Sequence, residues 1–278
     1  MENLEYWKKE WIKGGKEYIV NKNTEDKNIK VWDDSSKNYD ETACNNRVKN
    51  VIKNLKLKGY INENSEVLDI GCGTGSYSIE LSKICKKVYA LDYSDCMLNI
   101  LKEKIKSNNI NNIEIIKANW NDIDLNKENM YKKFDLVISS LNPGCYNPNS
   151  LLKINEASNK SCCYIATDGK SKDDVLEKAD EFILGKRLEF CGVSDIIYPF
   201  NILYFSGYRP SIFYTGTTWK YKTSYEGSVN KLKNRYKEYL DKHEIIDKIE
   251  EFVNREIKDG TFYHESKVTL GVITWEVM

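Results

Sequence analysis

A glycine-rich turn between an apolar segment and a helical pattern is the part of the sequence best suited to hold a ligand. Residues 67–76 read Val-Leu-Asp-Ile-Gly-Cys-Gly-Thr-Gly-Ser, which places Gly71, Gly73 and Gly75 directly after the apolar segment. Glycine tolerates positive φ, and it lets a ligand lie against the main chain where a side chain would collide. The spacing therefore predicts a turn that binds a ligand through its backbone.

Two acidic residues indicate which ligand this turn would accept. Asp92 ends the next apolar segment, where nucleoside-binding folds place a carboxylate that accepts hydrogen bonds from ribose hydroxyls. Asp69 precedes the first glycine by two positions, and its charge would repel a pyrophosphate but attract a cation. A nicotinamide cofactor favours G-x-G-x-x-G, whereas this turn has G-x-G-x-G followed by Ser76. The residues favour a cationic nucleoside over a nicotinamide dinucleotide.

An aspartate before G-x-G-x-G, Asp92 after the second strand and the apolar segment 134–137 resemble the class I S-adenosylmethionine-dependent methyltransferases over about residues 40–167. The resemblance implies a Rossmann-like fold, S-adenosylmethionine as the cofactor, and transfer of a methyl group to a small-molecule acceptor by in-line displacement. Such a displacement needs alignment and desolvation more than an acid or base. The resemblance therefore assigns no catalytic residue, and no metal is expected.

The resemblance also implies which residues hold the cofactor. The turn residues expected to contact its methionyl part through their backbone are Gly71, Cys72, Gly73 and Gly75. Asp69 would orient the ammonium group, and Asp92 would hold the ribose hydroxyls. The other expected cofactor-binding residues are Tyr93, Met97, Asn119, Trp120, Ser139 and Ser140. The family often has an acid in place of Asn119, and an amide oxygen can still accept the same hydrogen bond.

Two further segments have both an active-site interpretation and a structural one. Tyr39-Asp40 is similar to the aromatic-acid pair with which many small-molecule methyltransferases close over the cofactor, but a surface loop with Asp40 as a helix cap explains it equally well. Asn142-Pro143-Gly144 is similar to the Asn-Pro-Pro-Tyr signature of enzymes that methylate adenine or glutamine amide nitrogens, with Asn142 on the acceptor. Because Gly144 replaces the second proline, a Pro-Gly turn before a helix is favoured.

An aromatic block follows the fifth predicted strand. Residues 197–205 read Ile-Tyr-Pro-Phe-Asn-Ile-Leu-Tyr-Phe, which is too rich in aromatic side chains for an ordinary loop. A segment appended after the fifth strand lies at the carboxyl edge where such sheets bind ligands, so a pocket for a small, partly apolar acceptor is favoured over simple core. The expected substrate-binding residues here are Tyr198, Asn201, Tyr204 and Arg209.

Short apolar segments alternate with helical patterns from residue 66 onward. The predicted strands are 67–70, 87–92, 113–117, 134–139 and 162–166. The stretches between them that are long enough for crossover helices are 76–85, 95–107 and 149–159. This alternation predicts an α/β fold with a doubly wound, mostly parallel sheet.

The two ends of the chain depart from this alternation. Segments 211–219 and 268–277 predict an antiparallel C-terminal edge of the sheet. Residues 1–58 are expected to form an N-terminal helical lid, and 59–278 the methyltransferase domain, with 186–260 as a substrate-side extension.

Composition narrows the class of protein. The 278 residues include 42 Lys and Arg and 42 Asp and Glu, and a net charge of zero gives no long-range attraction to nucleic acid or to a membrane. The sequence has no apolar run of about 18 residues and no N-terminal signal pattern, so a cytoplasmic protein is expected.

Eight cysteines without a C-x-x-C pair predict reduced, buried thiols. Charged surroundings predict exposed positions for His243, His264, Lys231, Lys233, Arg235 and Lys237.

Two alternative functions are compatible with the same residues. A methyltransferase of this fold can act on an amide or amino nitrogen of protein or nucleic acid, although the neutral charge disfavours nucleic acid. A non-catalytic protein of this fold would bind the nucleoside and transfer nothing. Labelled cofactor distinguishes these alternatives, because the label would enter macromolecules in the first case and no acceptor in the second.

Overall fold

The computed structural model describes residues 2–14, 45–188, 195–241 and 243–277. Its helices and strands, in chain order, are α1 (Glu2–Gly14), α2 (Asn45–Leu57), β1 (Glu66–Ile70), α3 (Ser76–Ser82), β2 (Lys87–Asp92), α4 (Asp95–Ser107), β3 (Ile113–Lys117), β4 (Phe134–Ser140), α5 (Pro148–Ala157), β5 (Ser158–Lys172), α6 (Asp174–Leu184), α7 (Ile197–Phe205), β6 (Ser211–Thr223), α8 (Tyr225–Arg235), α9 (His243–Glu256) and β7 (Phe262–Glu276). Short 3₁₀ helices occupy Pro143–Cys145 and Lys237–Tyr239. The expected lid residue Tyr39 and two cysteines, Cys44 and Cys191, lie outside the described residues.

Seven strands of the described chain form one sheet in the order β3-β2-β1-β4-β5-β7-β6. Strands β1 to β5 pair in parallel, and β1 lies between β2 and β4. Strands β7 and β6 form the antiparallel C-terminal edge, which confirms the predicted α/β fold. Because β2 and β4 lie on opposite sides of β1, the chain connections diverge there and leave a crevice at the carboxyl ends of the strands.

The parallel strands are buried because their sequences are almost continuously apolar. Val67 and Ile70 of β1 have no exposed surface, as is typical of a strand covered on both faces. Strand β5 begins earlier than predicted, because the polar residues at its start are bonded within the sheet. Ser161, for example, donates from Oγ to the carbonyl oxygen of Asp135 at 2.9 Å. Apolar patterning does not reveal such bonds.

Helix α7 corresponds to the aromatic block and was not predicted as a helix. It is apolar on nearly every side, so it shows no amphipathic period. The helix packs against α1, where the ring of Tyr198 stacks on Trp11 with centroids 6.4 Å apart. One face of α7 is apolar because it packs on α1. Its exposed face carries the aromatic side chains of Tyr204 and Phe205 in place of polar ones, so the helix has no polar stripe.

The chain divides into two compact units. Unit 1 comprises Met1–Gly169, Gly192–Thr215 and Thr269–Met278, and unit 2 comprises Lys170–Cys191 and Gly216–Val268. The core of unit 1 lies around the parallel strands and includes Leu68, Phe134, Tyr164, Ile273 and Trp275. Unit 2 has a core of its own on α6, α8 and α9, which includes Ala179, Leu232, Ile249, Phe252 and Val253. The lid role of 1–58 and the substrate role of 186–260 stay predictions.

The prediction of an exposed His264 is wrong. The residue is 1% exposed, and its Nδ1 lies 2.6 Å from Oδ2 of Asp173. Its Nε2 lies 2.9 Å from Nζ of Lys231, and the ring of Tyr221 stacks on the imidazole at a centroid distance of 4.5 Å. Burial is possible here because both ring nitrogens have partners.

Arg235 also departs from the predicted exposed face. Its Nη2 lies 2.6 Å from Oδ2 of Asp180, a residue that is 1% exposed. The cysteines agree with the prediction, since the described ones are free thiols and all of them except Cys96 are buried. Within the described ranges, no helix is long and apolar enough to span a membrane.

Candidate functional site

A cavity lies at the carboxyl ends of β1, β2 and β4 in unit 1. It contains about 410 Å³ of space, including solvent at its mouth, and its lining residues are Gly71, Gly73, Asp92, Tyr93, Met97, Ser140, Leu141, Asn142 and Pro143. All of these except Leu141 and Pro143 were assigned to the cofactor or the acceptor from sequence. The fold therefore brings together residues that are spread over three strand ends.

The turn between β1 and α3 needs its glycines for both conformation and space. Gly71, Gly73 and Gly75 have φ angles of 69°, 53° and 88°, a region that favours glycine. A Cβ at Gly71 would lie 2.4 Å from Cγ of Asn142, and a Cβ at Gly75 would lie 2.3 Å from Cδ1 of Leu101. The main chain of Gly71 and Gly73 therefore forms part of the cavity wall directly.

Asp92 is held in place by backbone donors on both sides. The N–H of Gly73 donates to Oδ2 at 2.9 Å, and the N–H of Ser94 donates to Oδ1 at 2.9 Å. Ser94 also caps α4 by accepting from the N–H of Met97 at 3.2 Å, which fixes the first turn of that helix beside the cavity.

Asp69 is buried and is not among the lining residues. It is 2% exposed, and its Oδ2 accepts a hydrogen bond of 2.6 Å from Oγ of Ser78. Burial raises the pKa of Asp69 to about 7, the Ser78 hydrogen bond opposes that rise, and the charge of Asp92 adds to it. When both carboxylates are ionised, they make this end of the sheet attractive to a cation.

Asn142 holds the loop after β4 against the glycine turn. Its Nδ2 donates to the carbonyl oxygen of Ile70 at 3.3 Å, and its Oδ1 accepts from the N–H of Gly144 at 2.9 Å. The loop forms the Pro-Gly turn that the sequence favoured, as a 3₁₀ helix that Asn142 caps. Leu141, just before it, has a φ of 51°, a left-handed conformation that costs a non-glycine residue roughly 1–2 kcal/mol.

Several expected cofactor residues do not line the cavity: Asp69, Cys72, Gly75, Asn119, Trp120 and Ser139. Trp120 is 2% exposed in the core, and its Nε1 donates to the carbonyl oxygen of Ser150 at 3.0 Å. Oδ1 of Asn119 accepts from the N–H of Asn121 at 3.1 Å. A role for these residues at the cofactor stays a prediction.

The expected acceptor residues fall in two places. Asn142 lines the cavity, whereas the residues on or after α7 do not: Tyr198, Asn201, Tyr204 and Arg209. Two lining residues were not assigned to a ligand from sequence. Pro143 belongs to the Asn142-Pro143-Gly144 segment singled out above, whereas Leu141 carries no chemical signal, and only its position at the end of β4 identifies it. Among the described residues, no group of three or more His, Cys, Asp or Glu side chains could hold a metal ion.

Comparison with known proteins gives a family match over part of the chain. A family model described as "Methyltransferase domain" matches residues 61–187. Over 74 residues, the chain is 39% identical to a probable cobalt-precorrin-6B C(15)-methyltransferase (decarboxylating) of Methanocaldococcus jannaschii, a match that covers 27% of this chain and 40% of that protein. Over 114 residues, it is 32% identical to a probable ribosomal RNA small subunit methyltransferase A of Methanosphaera stadtmanae, a match that covers 41% of this chain and 38% of that protein.

The matches to these two curated relatives span about two-fifths of each relative's length. Among solved structures, magnesium protoporphyrin IX methyltransferase from Synechocystis PCC 6803 with bound SAH is 15% identical. The match covers 82% of each chain, with a TM-score of 0.47.

Proposed function

We propose, from the premise that residues 61–187 belong to the class I S-adenosylmethionine-dependent methyltransferase superfamily, that this chain transfers a methyl group from S-adenosylmethionine to a small-molecule acceptor. One observation carries the proposal. The glycine turn and the Asp92 carboxylate face the same cavity, and the Gly73 hydrogen bond joins them. Bare main chain beside a fixed carboxylate suits a nucleoside, which needs close approach and an acceptor for its ribose hydroxyls.

The residues around the cavity fit this cofactor. Any side chain at Gly71 would collide with Asn142, so the turn keeps its backbone accessible. Tyr93 and Met97 add a ring and a thioether to the lining, and both can pack on an adenine. When bound, S-adenosylmethionine would supply an electrophilic methyl group on a positively charged sulfur.

The chain's own contribution would be positioning and exclusion of water. Asp92 and the turn would fix one end of the ligand, and Asn142 would keep the loop after β4 closed against Ile70. Ionised Asp69 would favour a cationic ligand by its charge. Since in-line displacement needs alignment and desolvation above all, this set is sufficient without a dedicated acid or base.

A small molecule is the acceptor that the residues support best. The net charge of zero argues against a polyanionic acceptor, whose binding depends on an excess of cations. Gly144 stands where the Asn-Pro-Pro-Tyr signature has its second proline, which argues against a grip on an amide or amino nitrogen of protein or nucleic acid. The names of the two curated relatives point to different acceptors, a precorrin and a ribosomal RNA, so they favour neither.

The proposal includes an acceptor-binding role for α7 and the residues after it. Tyr204 is 47% exposed, and the guanidinium of Arg209 lies 5.4 Å from its ring centroid. This pair offers an aromatic face and a cation to a ligand. Tyr204→Ala and Arg209→Ala should raise KM for the acceptor and leave the affinity for S-adenosylhomocysteine unchanged; a KM equal to that of the wild type would remove α7 from the site.

Calorimetric titration with S-adenosylhomocysteine and with NAD tests the cofactor. We expect saturable binding of the first and none of the second, and binding of NAD alone would overturn the proposal. Incubation with methyl-labelled cofactor and a cell extract then tests the acceptor. Label in the small-molecule fraction supports the proposal. Label in protein or nucleic acid supports the alternative enzyme, and binding without any S-adenosylhomocysteine produced supports a non-catalytic protein.

A further inference from the structure

Three titratable side chains of unit 2 form a hydrogen-bonded relay that the proposed methyl transfer does not use. Oδ2 of Asp173 lies 2.6 Å from Nδ1 of His264, and Nε2 of the same ring lies 2.9 Å from Nζ of Lys231. Asp173 is 5% exposed and His264 is 1% exposed, whereas Lys231 is half-buried. The relay therefore runs from a buried carboxylate to an amine that is partly open to solvent.

Asp173 fixes the tautomer of His264. Burial works to raise the pKa of Asp173, but hydrogen bonds from His264 and Ser266 lower it below its usual value. An ionised carboxylate only accepts, so Nδ1 carries the ring proton and donates to it. Nε2 then keeps its lone pair and accepts from Nζ of Lys231. The order of acid, imidazole and nucleophile is that of a hydrolase triad, with an amine in place of the hydroxyl.

The surroundings of Lys231 favour a neutral amine, which is the nucleophilic form. Burial lowers the pKa of Lys231 to about 8, the charge of Asp173 opposes that fall, and the charge of Arg235 adds to it. At about pH 7, roughly a tenth of such a group is neutral, against less than about a thousandth of an ordinary lysine. The relay thus ends in an amine that can attack an electrophile near neutral pH.

Tyr221 indicates which electrophile suits this amine. The centroid of its ring lies 3.8 Å from Nζ of Lys231, and the same ring stacks on His264 at 4.5 Å. An aromatic face stabilises a cation placed over it. A protonated imine of Lys231 would keep its positive charge over the ring and an N–H for Nε2, whereas an amide formed by acylation would lose the charge. The arrangement therefore favours an imine-forming carbonyl over an acyl donor.

We propose that Lys231 is a covalent binding site for a small aldehyde, which it holds as an imine. The neutral amine attacks the carbonyl carbon, so a C–N bond forms as the C=O π bond breaks. The proton released from nitrogen passes through Nε2 of His264 to the alkoxide oxygen, and Asp173 stabilises the transient imidazolium. A second proton, from solvent, lets the hydroxyl leave as water while the nitrogen lone pair forms the C=N bond. The proposal does not rest on methyl transfer, since none of these residues lines the cavity.

Reductive trapping of the full chain with propanal and cyanoborohydride tests the proposal, because the reductant converts an imine into a stable propylamine. Peptide mass spectrometry compares Lys231 with two other lysines of unit 2, Lys233 on the same helix and Lys220 on β6. At about pH 7, Lys231 should be trapped about 10- to 100-fold faster than either, and this preference should vanish in urea-unfolded protein. Equal rates for the three lysines in the folded protein would overturn the proposal.

Asp173→Asn tests the relay, and Asp174→Asn is its matched control. An amide nitrogen that donates to Nδ1 of His264 moves the ring proton to Nε2, which then cannot accept from Lys231. The remaining amide oxygen can still cap α6, as Oδ1 of Asp173 does by accepting from the N–H of Leu176 at 3.0 Å. We expect at least about a tenfold slower trapping of Lys231 in Asp173→Asn, with Lys233 unchanged.

Asp174→Asn removes only an exposed ion pair with Lys172 and should leave trapping at the wild-type rate. Equal trapping of Lys231 in the two variants would overturn the proposal. If Asp173→Asn fails to fold, the wild type decides by itself. The ratio of Lys231 to Lys233 trapping should be constant below about pH 8 and fall about tenfold between about pH 7 and pH 9, as Lys231 becomes fully neutral first. A ratio that does not change with pH would overturn the proposal.

Discussion

The backbone N–H of Gly73 donates a hydrogen bond of 2.9 Å to Oδ2 of Asp92, and this bond joins the turn after β1 to the last residue of β2. The two strands pair in parallel with Ile70 opposite Leu91, so both features reach the same edge of the sheet. The carboxylate thus has a second function besides any contact with a ligand, because it holds the glycine turn in register with its neighbour. Substitution of Asp92 should affect both the turn and the binding site.

Asp92→Ala should weaken the binding of S-adenosylhomocysteine by about 1.5–3 kcal/mol, because charge-assisted hydrogen bonds to the ribose hydroxyls would be lost. Asp92→Asn retains one accepting oxygen and should lose less. Asp95→Ala is the control, since Asp95 lies three residues away and its exposed carboxylate pairs with Lys117 at 2.5 Å. Calorimetry checks the set, and equal affinities for the Asp92→Ala and Asp95→Ala variants would contradict the assignment.

Gly71→Ala should destabilise the protein more than Gly59→Ala does. The two glycines have almost the same φ, 69° and 71°, so the conformational strain of an alanine is matched. A Cβ at Gly59 would meet nothing within 4 Å, whereas one at Gly71 would lie 2.4 Å from Cγ of Asn142. We expect an additional loss of about 1–3 kcal/mol for Gly71→Ala from overpacking, measured by denaturant unfolding.

Asn142→Gly in the Gly71→Ala background provides the internal test of that clash. Removing the amide makes room for the new methyl group, so the double variant should lose less stability than the two single changes added together. Simple additivity would show that the clash is relieved in another way and that Asn142 does not set the space at the turn.

Asp69 predicts a pH dependence of stability. Its pKa is about 7 in the folded protein, and an unfolded aspartate titrates near about 3.9, so between these values the folded state binds the extra proton. The free energy of unfolding should therefore fall as the pH rises from about 4 to about 7, as the buried carboxyl ionises. Asp69→Asn should remove this slope, and Asp95→Asn should leave it unchanged. Urea unfolding at several pH values measures it; identical slopes in wild type and Asp69→Asn would contradict the assignment.

The cavity wall was predictable from sequence because it depends on short-range features. Gly71 and Gly73 follow the end of β1 and Asp92 ends β2, and parallel strands bring such ends to one edge. The proximity of Arg47 to Tyr77 was not predictable, since the two residues meet only through the packing of α2 on α3. A single sequence carries no signal for such a contact between elements.

Burial of charged residues in unit 2 was missed for a similar reason. His264 and its partner Asp173 are separated by 91 positions, and each lies in a segment that looks polar by itself. Helix α7 shows the opposite difficulty, because a segment without a polar stripe has neither the helical nor the strand period. Periodicity identifies elements that have one solvent-exposed face. It fails for charged residues that are paired in the protein interior and for helices that are apolar on all sides.

Two adjacent acidic residues on α6 should differ sharply in how much they contribute to the stability of unit 2. Asp180 is 1% exposed and accepts from Nε and Nη2 of Arg235 at 2.8 and 2.6 Å and from the hydroxyl of Tyr236 at 2.8 Å. Glu181 pairs with Arg187 at 2.7 Å, and both side chains are more than half exposed. The first pair is buried and bidentate, whereas solvent surrounds the second.

Asp180→Ala should therefore destabilise unit 2 by about 3–5 kcal/mol, because it removes the buried carboxylate that accepts from the Arg235 guanidinium and the Tyr236 hydroxyl. Glu181→Ala should cost at most about 1 kcal/mol, as is usual for exposed ion pairs. Hydrogen exchange read by mass spectrometry on peptides from α6 and α8 measures both variants within unit 2 itself. Equal protection in the two variants would show that the Asp180 network adds no more stability than a surface ion pair, and a loss of protection confined to Asp180→Ala would show that the buried carboxylate holds α8 against α6.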